Sequence, residues 1–373
     1  MKPLSIVHTE SSLGWGGQEI RILAESQGLA RRGHQVRILC PHEARIAAES
    51  AAWQVPTVEL PIARKNLGAL RALAAWFRDN RCDVVNTHSS TDSWLTALAL
   101  RLAGRPYPVV RTRHISAPVP RNVLSRWLYQ SAATMIVTTG EALRRQLVEV
   151  NGFDLARLVS VPTGIDPGRF RPGARAAARA ALGLPAGRLL VGIVATLRSW
   201  KGHRYLIEAL AQLPESIELV IVGDGPQRET LQQQIARLGL GPRAHMPGNQ
   251  ADVVPWLQAL DVFALPSYAN EGVPQALVQA MLCALPCVTT TVGSIAELAS
   301  HDATALIVPP HDAQALAAAI ARLAENEGLR RELGDAARRH CVENFSYERM
   351  LERMEAVFFA VCQGARQGSP APR

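Results

Sequence analysis

A short apolar run, a loop rich in Gly, Pro, Ser or Thr, and then a segment of helical apolar spacing recur along almost the whole chain. This alternation constrains the fold more than any other feature. Strands joined through crossover helices run parallel, so the chain must form α/β sheets wrapped by helices. The first series has strands near Leu4 to His8, Val36 to Cys40, Thr57 to Leu60, Asp83 to Thr87, Val109 to Thr112 and Thr134 to Thr138. A helix from about Gln18 to Arg32, closed by Gly33, follows the first of them. The second series has strands near Leu189 to Ala195, Leu219 to Val222, Val262 to Leu265, Cys287 to Thr290 and Ala305 to Val308.

Between the two series lies Val161 to Arg188, with Pro and Gly at both ends, which reads as a linker carrying one helix. The chain therefore divides into two Rossmann-like, doubly wound domains, 1–166 and 167–345, facing across a cleft at the carboxyl ends of their strands. Residues 346–362 form a last helix with no strand after it, expected to cross back to the first domain, and 363–373 read as a disordered tail. At 373 residues and 48% hydrophobic content, each half is large enough to bury a core.

No apolar run reaches the 18 or so residues of a membrane span, and MKPLSIVH turns polar too soon for a signal peptide. A cytoplasmic protein is expected. The six cysteines are scattered without a C-x-x-C pair, which fits reduced structural thiols, and Cys283 and Cys287 read as packing residues.

Charge is unevenly placed. Residues 1–170 hold 21 Lys plus Arg against 13 Asp plus Glu, and residues 171–373 hold 19 of each. A basic first domain points to an anionic partner, a membrane surface or acidic glycolipid, with a merely solubilising surface as the plain alternative. Nucleic acid is disfavoured because the arginines are dispersed and do not cluster with aromatics.

The chemistry concentrates in Pro266 to Leu298. An apolar strand stops at Pro266, a loop carries the carboxylate Glu271, and Pro274 stands where a helix begins. The unpaired first amides of such a helix suit an anion such as a diphosphate, and Glu271 stands beside them to accept hydrogen bonds from sugar hydroxyls. In the loop ATLRSWKG, Arg198 and Lys201 follow a strand and can neutralise a diphosphate without metal. No D-x-D is present to hold a divalent ion, so no metal or other cofactor is expected.

The glycine loops exclude other nucleotide chemistry. Gly14-Trp15-Gly16-Gly17 lets backbone approach phosphate, but Glu19 occupies the sixth position, so G-x-G-x-x-G fails. Gly223-Asp224-Gly225 fails likewise and reads as a tight turn. A P-loop is absent.

Together these residues resemble the retaining family 4 glycosyltransferases of the GT-B fold. The segment PSYANEGVPQALVQAMLCALPCV is similar to that family's signature of two glutamates separated by seven residues. The resemblance implies that Glu271 contacts the transferred sugar, with Gly272 and Val273 beside it at the donor. It implies that Gln279 stands where the second glutamate would bind the ribose, and that Ala284 replaces a usual Gly. Arg198 and Lys201 fall on the family's diphosphate-binding pair, Gly16 and Gly17 on its double glycine, and His88 on a histidine near the anomeric carbon. VPTGID resembles its hinge motif, with Thr163 for Asn. Arg113 and His114, after a strand, read as acceptor-side or as structural.

The implied reaction moves a hexosyl or heptosyl group from a nucleotide-diphosphate sugar to an acceptor hydroxyl with retention, the leaving phosphate taking the acceptor proton. The acceptor expected is a lipopolysaccharide core or another anionic envelope glycolipid or saccharide, met at the inner face of the cytoplasmic membrane. A nucleotide-sugar epimerase of the same architecture and a non-catalytic nucleotide-sugar binder are the rival readings.

Overall fold

The computed structural model describes residues 2–114 and 117–366 and divides the chain into two compact units. One comprises Met1–Thr163 with Glu348–Arg373, and the other comprises Gly164–Tyr347.

The first unit holds a seven-stranded sheet in which every pairing is parallel. Its strands are β1 (Ser5–Thr9), β2 (Gln35–Cys40), β3 (Thr57–Glu59), β4 (Val84–Thr87), β5 (Val109–Arg113), β6 (Met135–Thr138) and β7 (Leu158–Ser160), in the order β3-β2-β1-β4-β5-β6-β7. The order reverses between β1 and β4, and a doubly wound sheet opens a crevice at the carboxyl ends of two such strands. His8 lies at that end of β1, and His88 directly follows β4.

The second unit holds a six-stranded parallel sheet of β8 (Leu189–Val194), β9 (Ile217–Val222), β10 (Ala244–Gly248), β11 (Val262–Leu265), β12 (Cys287–Thr289) and β13 (Leu306–Ile307). Its order is β10-β9-β8-β11-β12-β13, so the reversal falls between β8 and β11. Lys201 follows β8 and Glu271 follows β11.

The central strands β9 and β11 are buried along their whole length, which is why they read as continuous apolar runs in the sequence. Two strands escape the sequence reading, both at sheet edges. β7 has three residues, and β10 is AHMPG, half-buried and interrupted by proline, so neither carries a strand signature.

The final helix, Tyr347–Arg366, packs into the first unit and buries Met350, Leu351, Met354, Phe358, Val361 and Cys362 as one stripe. Arg32 fastens it through Glu348 at 2.6 Å and Glu355 at 2.9 Å, and His34 bonds Glu355 at 2.9 Å. Residues 363–366, expected in the tail, are helical because the stripe at 361 and 362 carries the helix past them. The rest of that tail, 367–373, lies outside the described residues. All six cysteines are buried and outside any disulfide, and burial raises the thiols of Cys40, Cys82, Cys283 and Cys341 to about 12.

Candidate active site

In the second unit the switch point is built by two loops locked together. After β8 the chain makes a single turn over Ser199–Lys201, and Gly202 at φ 78° redirects it into the helix His203–Leu210. A Cβ on Gly202 would sit 2.1 Å from the carbonyl oxygen of Pro266, so only glycine lets this loop meet the one after β11. Tyr268 N donates to Trp200 O at 2.9 Å, joining the same two loops. A second glycine, Gly293 at φ 61°, places its missing Cβ 2.0 Å from Glu271 O and fixes the carboxylate loop from the other side. Thr290 Oγ1 adds a bond to Ser267 O at 2.7 Å.

This packing brings Lys201 Nζ to 2.6 Å from Glu271 Oε1, which also accepts from Ser267 Oγ at 2.6 Å. The lysine side chain is 21% exposed and the glutamate 5%, so the ion pair is shielded yet reachable from one side. Hydrogen bonds to charged groups of this kind are worth about 1.5–3 kcal/mol. Glu271 Oε2 stays outside these two bonds. Gly272 and Val273 are buried beside it, and the helix Gln275–Leu282 begins after Pro274 with Gln279 half-buried one turn on.

Arg198 is exposed, its guanidinium 5.7 Å from the centre of the Trp200 ring. His203 lies behind Lys201, and burial, then the lysine's charge, lowers its pKa to about 3. It is a neutral packing residue at neutral pH.

Gly223 and Gly225 are demanded by sterics alone. Their φ values are 138° and 155°, and a Cβ on Gly223 would lie 2.0 Å from Ala195 O. Gly16 differs, since it is extended at φ −176° and a Cβ there would meet only Glu19 Oε2 at 3.7 Å. Gly16 caps the helix Gly17–Arg31, and the space beside it is open.

In the first unit the switch point is filled by neutral polar groups. His88 Nε2 lies 2.9 Å from His8 Nδ1, and His88 Nδ1 lies 2.9 Å from His114 Nε2. Burial, then the charge of Arg21, lowers His8 to about 3. Burial, followed by the neighbouring histidines and Arg21, lowers His88 well below the ordinary range, and burial with Arg21 does the same to His114. All three rings are uncharged at neutral pH. The backbone of His88 is pinned by Asp92, which accepts from His88 N, Ser89 N and Thr9 Oγ1, each at 2.8 Å. Ser89 and Asp92 also form the capping box of the helix Ser90–Leu102, so one carboxylate starts the helix and holds the histidine.

Nearby, Glu10 accepts from Ser12 N at 2.7 Å and from Gln18, and burial beside Asp92 raises it to about 8. Arg21 and Glu25 form a fully buried pair at 3.5 Å, and Arg21 Nη1 donates to Val161 O and Thr163 Oγ1. Thr163 is thus tied into the first unit. Arg113 is spent on its own fold, donating to Tyr129 Oη at 2.9 Å and to Ala117 O. It therefore fits the structural reading, while His114 stays half-buried at the end of the histidine chain.

Sequence reasoning missed His8, Asp92, Glu10, Ser267 and Gly293. His8 carried a signal, since it stands near the end of the strand SIVHT much as His88 directly follows VVNT. Asp92 sits in a local Ser-x-x-Asp capping box, Glu10 and Ser267 bond residues within eight positions in loops that carry no pattern, and Gly293 depends on a close approach to Glu271.

Two family models match the chain, glycosyltransferase family 4 over residues 15–169 and glycosyl transferases group 1 over 174–340. The D-inositol 3-phosphate glycosyltransferase of Nocardia farcinica is 31% identical, covering 78% of this chain and 70% of that protein. The protein of the same name from Xylanimonas cellulosilytica is 29% identical, covering 87% of each. Among solved structures, Anabaena Alr3699/HepE in complex with UDP and glucose matches with a TM-score of 0.87 at 22% identity, covering 96% of this chain and all of that one. With two parallel α/β units of GT-B type and both halves matched, the chain belongs to the family 4 glycosyltransferases.

Proposed function

We propose that this glycosyltransferase moves a sugar from a nucleotide-diphosphate sugar to an acceptor hydroxyl with retention, the acceptor being an anionic envelope glycolipid such as a lipopolysaccharide core. The observation that carries the donor half is the shielded Lys201–Glu271 pair at the β8/β11 switch point. An ammonium held in a rigid loop next to a helix N-terminus answers the charge that develops on a departing diphosphate. The carboxylate beside it answers sugar hydroxyls. Arg198 supplies a second, exposed cation, and the open space beside Gly16 gives phosphate room, with Gly17 next to it. In this reading no metal is required, since the two cations and the amides after Pro274 take up the leaving charge. Gln279 meets the ribose with an amide in place of a charge.

The acceptor half rests on the first unit's surface. Residues 61–130 hold 11 Lys plus Arg against three Asp, one of which, Asp92, is buried. On the same stretch Trp94 stacks on Trp127 at 5.4 Å, Arg101 lies over Trp127, and Lys65 lies over Trp94. Leu67, Leu102, Val123 and Leu124 are each more than 60% exposed. Cations interleaved with tryptophans and bare aliphatic groups suit the headgroup layer of an anionic membrane. Among the described residues no helix is long and apolar enough to cross one.

Thermal-shift titration with UDP, GDP and ADP sugars, followed by NMR of the product's anomeric proton, tests the donor and the retention. Stabilisation by none of them, or an inverted product, overturns the reading. Sedimentation with anionic liposomes tests the acceptor's location: binding in low salt that fades as salt rises supports it. No sedimentation, with efficient transfer to a soluble phosphorylated polyol, would replace the glycolipid with a small acceptor, the type named in the two inositol phosphate relatives.

A further inference from the structure

The loop between β1 and the helix Gly17–Arg31 carries Gly14-Trp15-Gly16-Gly17, and one buried side chain ties its two ends together. Glu10 is wholly buried, accepts from Ser12 N at 2.7 Å through Oε1 and meets the side-chain amide of Gln18 through Oε2. Its own N–H bonds Leu39 O at 3.0 Å, so the staple is anchored to β2. Ser12 Oγ carries the hold forward to Gly14 N at 3.0 Å. Further along, Trp15 packs on the cluster of Ile22, Ile38 and Ile46, with the Arg45 guanidinium 5.2 Å from its ring centre. Gly16 lies between these anchors, extended and with open space beside it. A loop held at both ends and at its centre is preorganised, which lowers the entropic cost of meeting a phosphate.

A carboxyl at this place raises a question of charge. Both bonds to Glu10 come from uncharged groups, and two more buried carboxyls face it: Asp92 from the helix Ser90–Leu102, and Glu19 in the first turn of the helix Gly17–Arg31. Glu19 Oε2 lies 3.7 Å from where a Cβ on Gly16 would stand, and Cys40, at the end of β2, faces Glu10 as well. A diphosphate beside Gly16 would add its negative charges to this group, out of reach of solvent screening. A proton on Glu10 relieves the crowding and keeps both bonds. Oε1 still accepts from Ser12 N, while an O–H on Oε2 donates to Gln18 once the glutamine amide turns its oxygen round, an exchange that leaves the heavy atoms in place. Burial, then the charge of Asp92, holds the carboxyl near 8 with no ligand added, so most molecules carry that proton at neutral pH.

We propose that Glu10 is the positioning residue of the glycine loop, stapling it as a neutral acid while the donor diphosphate is bound, so that donor binding in alkaline solution takes up a proton. Glu10 does not touch the donor. It acts through Ser12, Gln18 and the backbone between them. The staple stands on the geometry of the first unit alone, while its coupling to the donor rests on the transfer reading above.

The test titrates wild type, Glu10→Gln and Glu10→Leu with UDP-, GDP- and ADP-glucose between pH 7 and 9.5, a range over which the diphosphate of these sugars keeps its charge. For the nucleotide sugar that binds, the wild-type Kd should be flat up to about pH 8 and then weaken by up to about tenfold per pH unit, because proton and donor binding are reciprocally linked. Glu10→Gln keeps both bonds and cannot ionise, so it should match the wild type at pH 7 and lose the alkaline weakening. Glu10→Leu should bind about tenfold more weakly at every pH, the scale of one lost hydrogen bond. An alkaline slope in Glu10→Gln equal to that of the wild type overturns the proposal, as does wild-type affinity in Glu10→Leu; should the leucine variant not fold, Glu10→Gln decides. Carbon NMR of the glutamate carboxyls, with Glu10 assigned by its loss in Glu10→Gln, reads the proton directly. A midpoint that rises on adding the nucleotide sugar is expected, and a Glu10 ionised at pH 7 overturns the proposal. Should none of the three sugars bind, the transfer reading fails and the coupling with it, while the carboxyl midpoint and slow hydrogen exchange at the Ser12 amide still decide the staple.

Discussion

The two switch points occupy the same place in the same kind of sheet and are furnished in opposite ways. After β8 and β11 the loops hold a cation and an anion in direct contact, shielded but reachable. After β1, β4 and β5 the ends of the strands are lined by imidazoles kept neutral by burial and by Arg21. A doubly wound sheet supplies the position, and the side chains placed there supply the chemistry. On the transfer reading proposed above, the charged end suits the part of the reaction where charge departs.

The difference is broken most directly at the charged end. Lys201→Ala should lower turnover by about 10³-fold, the scale of one preorganised charge on a leaving group, far beyond the effect of a thermal midpoint lowered by the lost bond to Glu271, worth about 1.5–3 kcal/mol. Steady-state rates beside a melting curve check this, and wild-type turnover would remove Lys201 from the chemistry. Next in size is Gly293→Ala, whose new methyl would lie 2.0 Å from Glu271 O. A loss on the order of 10²-fold in rate and more than ~2 kcal/mol of stability is expected, because the carboxylate loop must move. Gly16→Ala is the matching change in the first unit, where space is open, and its stability should stay within ~0.5 kcal/mol of wild type. Equal denaturation midpoints for the two variants would show that glycine does not lock the donor loops.

The neutral end should respond to pH in both directions. His8 is held near 3 in the folded chain against 6.5 ordinarily, so below pH 6.5 the unfolded chain takes up a proton that the native one refuses. Stability on this account falls as pH drops from 6.5 towards 3. Glu10 is held near 8 against 4.5, so from pH 4.5 upward the unfolded chain gives up a proton that the native one keeps, and stability falls as pH rises to 8. Glu10→Gln should remove that alkaline slope, a gain on the order of 1–3 kcal/mol at pH 8 and little at pH 4.5, read from urea midpoints at the two values. The smallest change expected is at Ala284, a non-glycine residue held at φ 57°. Ala284→Gly should raise stability by about 0.5–1 kcal/mol, since a Cβ is strained in left-handed backbone. A lower thermal midpoint would mean that the methyl packs well enough to offset its strain.

Most of the architecture is legible from the chain itself. Strands in parallel sheets are mostly apolar, so eleven of the thirteen are visible as short runs, and the two that are not, β7 and β10, lie at sheet edges. Lys201 and Glu271 are visible singly, each at a strand end, but 70 residues separate them and nothing local says that they touch. Their contact needs Gly202 against Pro266 and Gly293 against Glu271, two close approaches between distant segments.

The histidines divide in the same way. His88 is marked by its strand end, whereas the saturation of both its nitrogens comes from strand order, which brings β1, β4 and β5 side by side. Sequence determined the period of the elements, the basic first half and the residues that end each strand, because burial and helix starts act over a few neighbours. Tertiary structure alone decided which strand ends meet, which charges neutralise each other and which rings lose theirs. Those outcomes depend on distance and dielectric between segments that the chain keeps far apart until it folds.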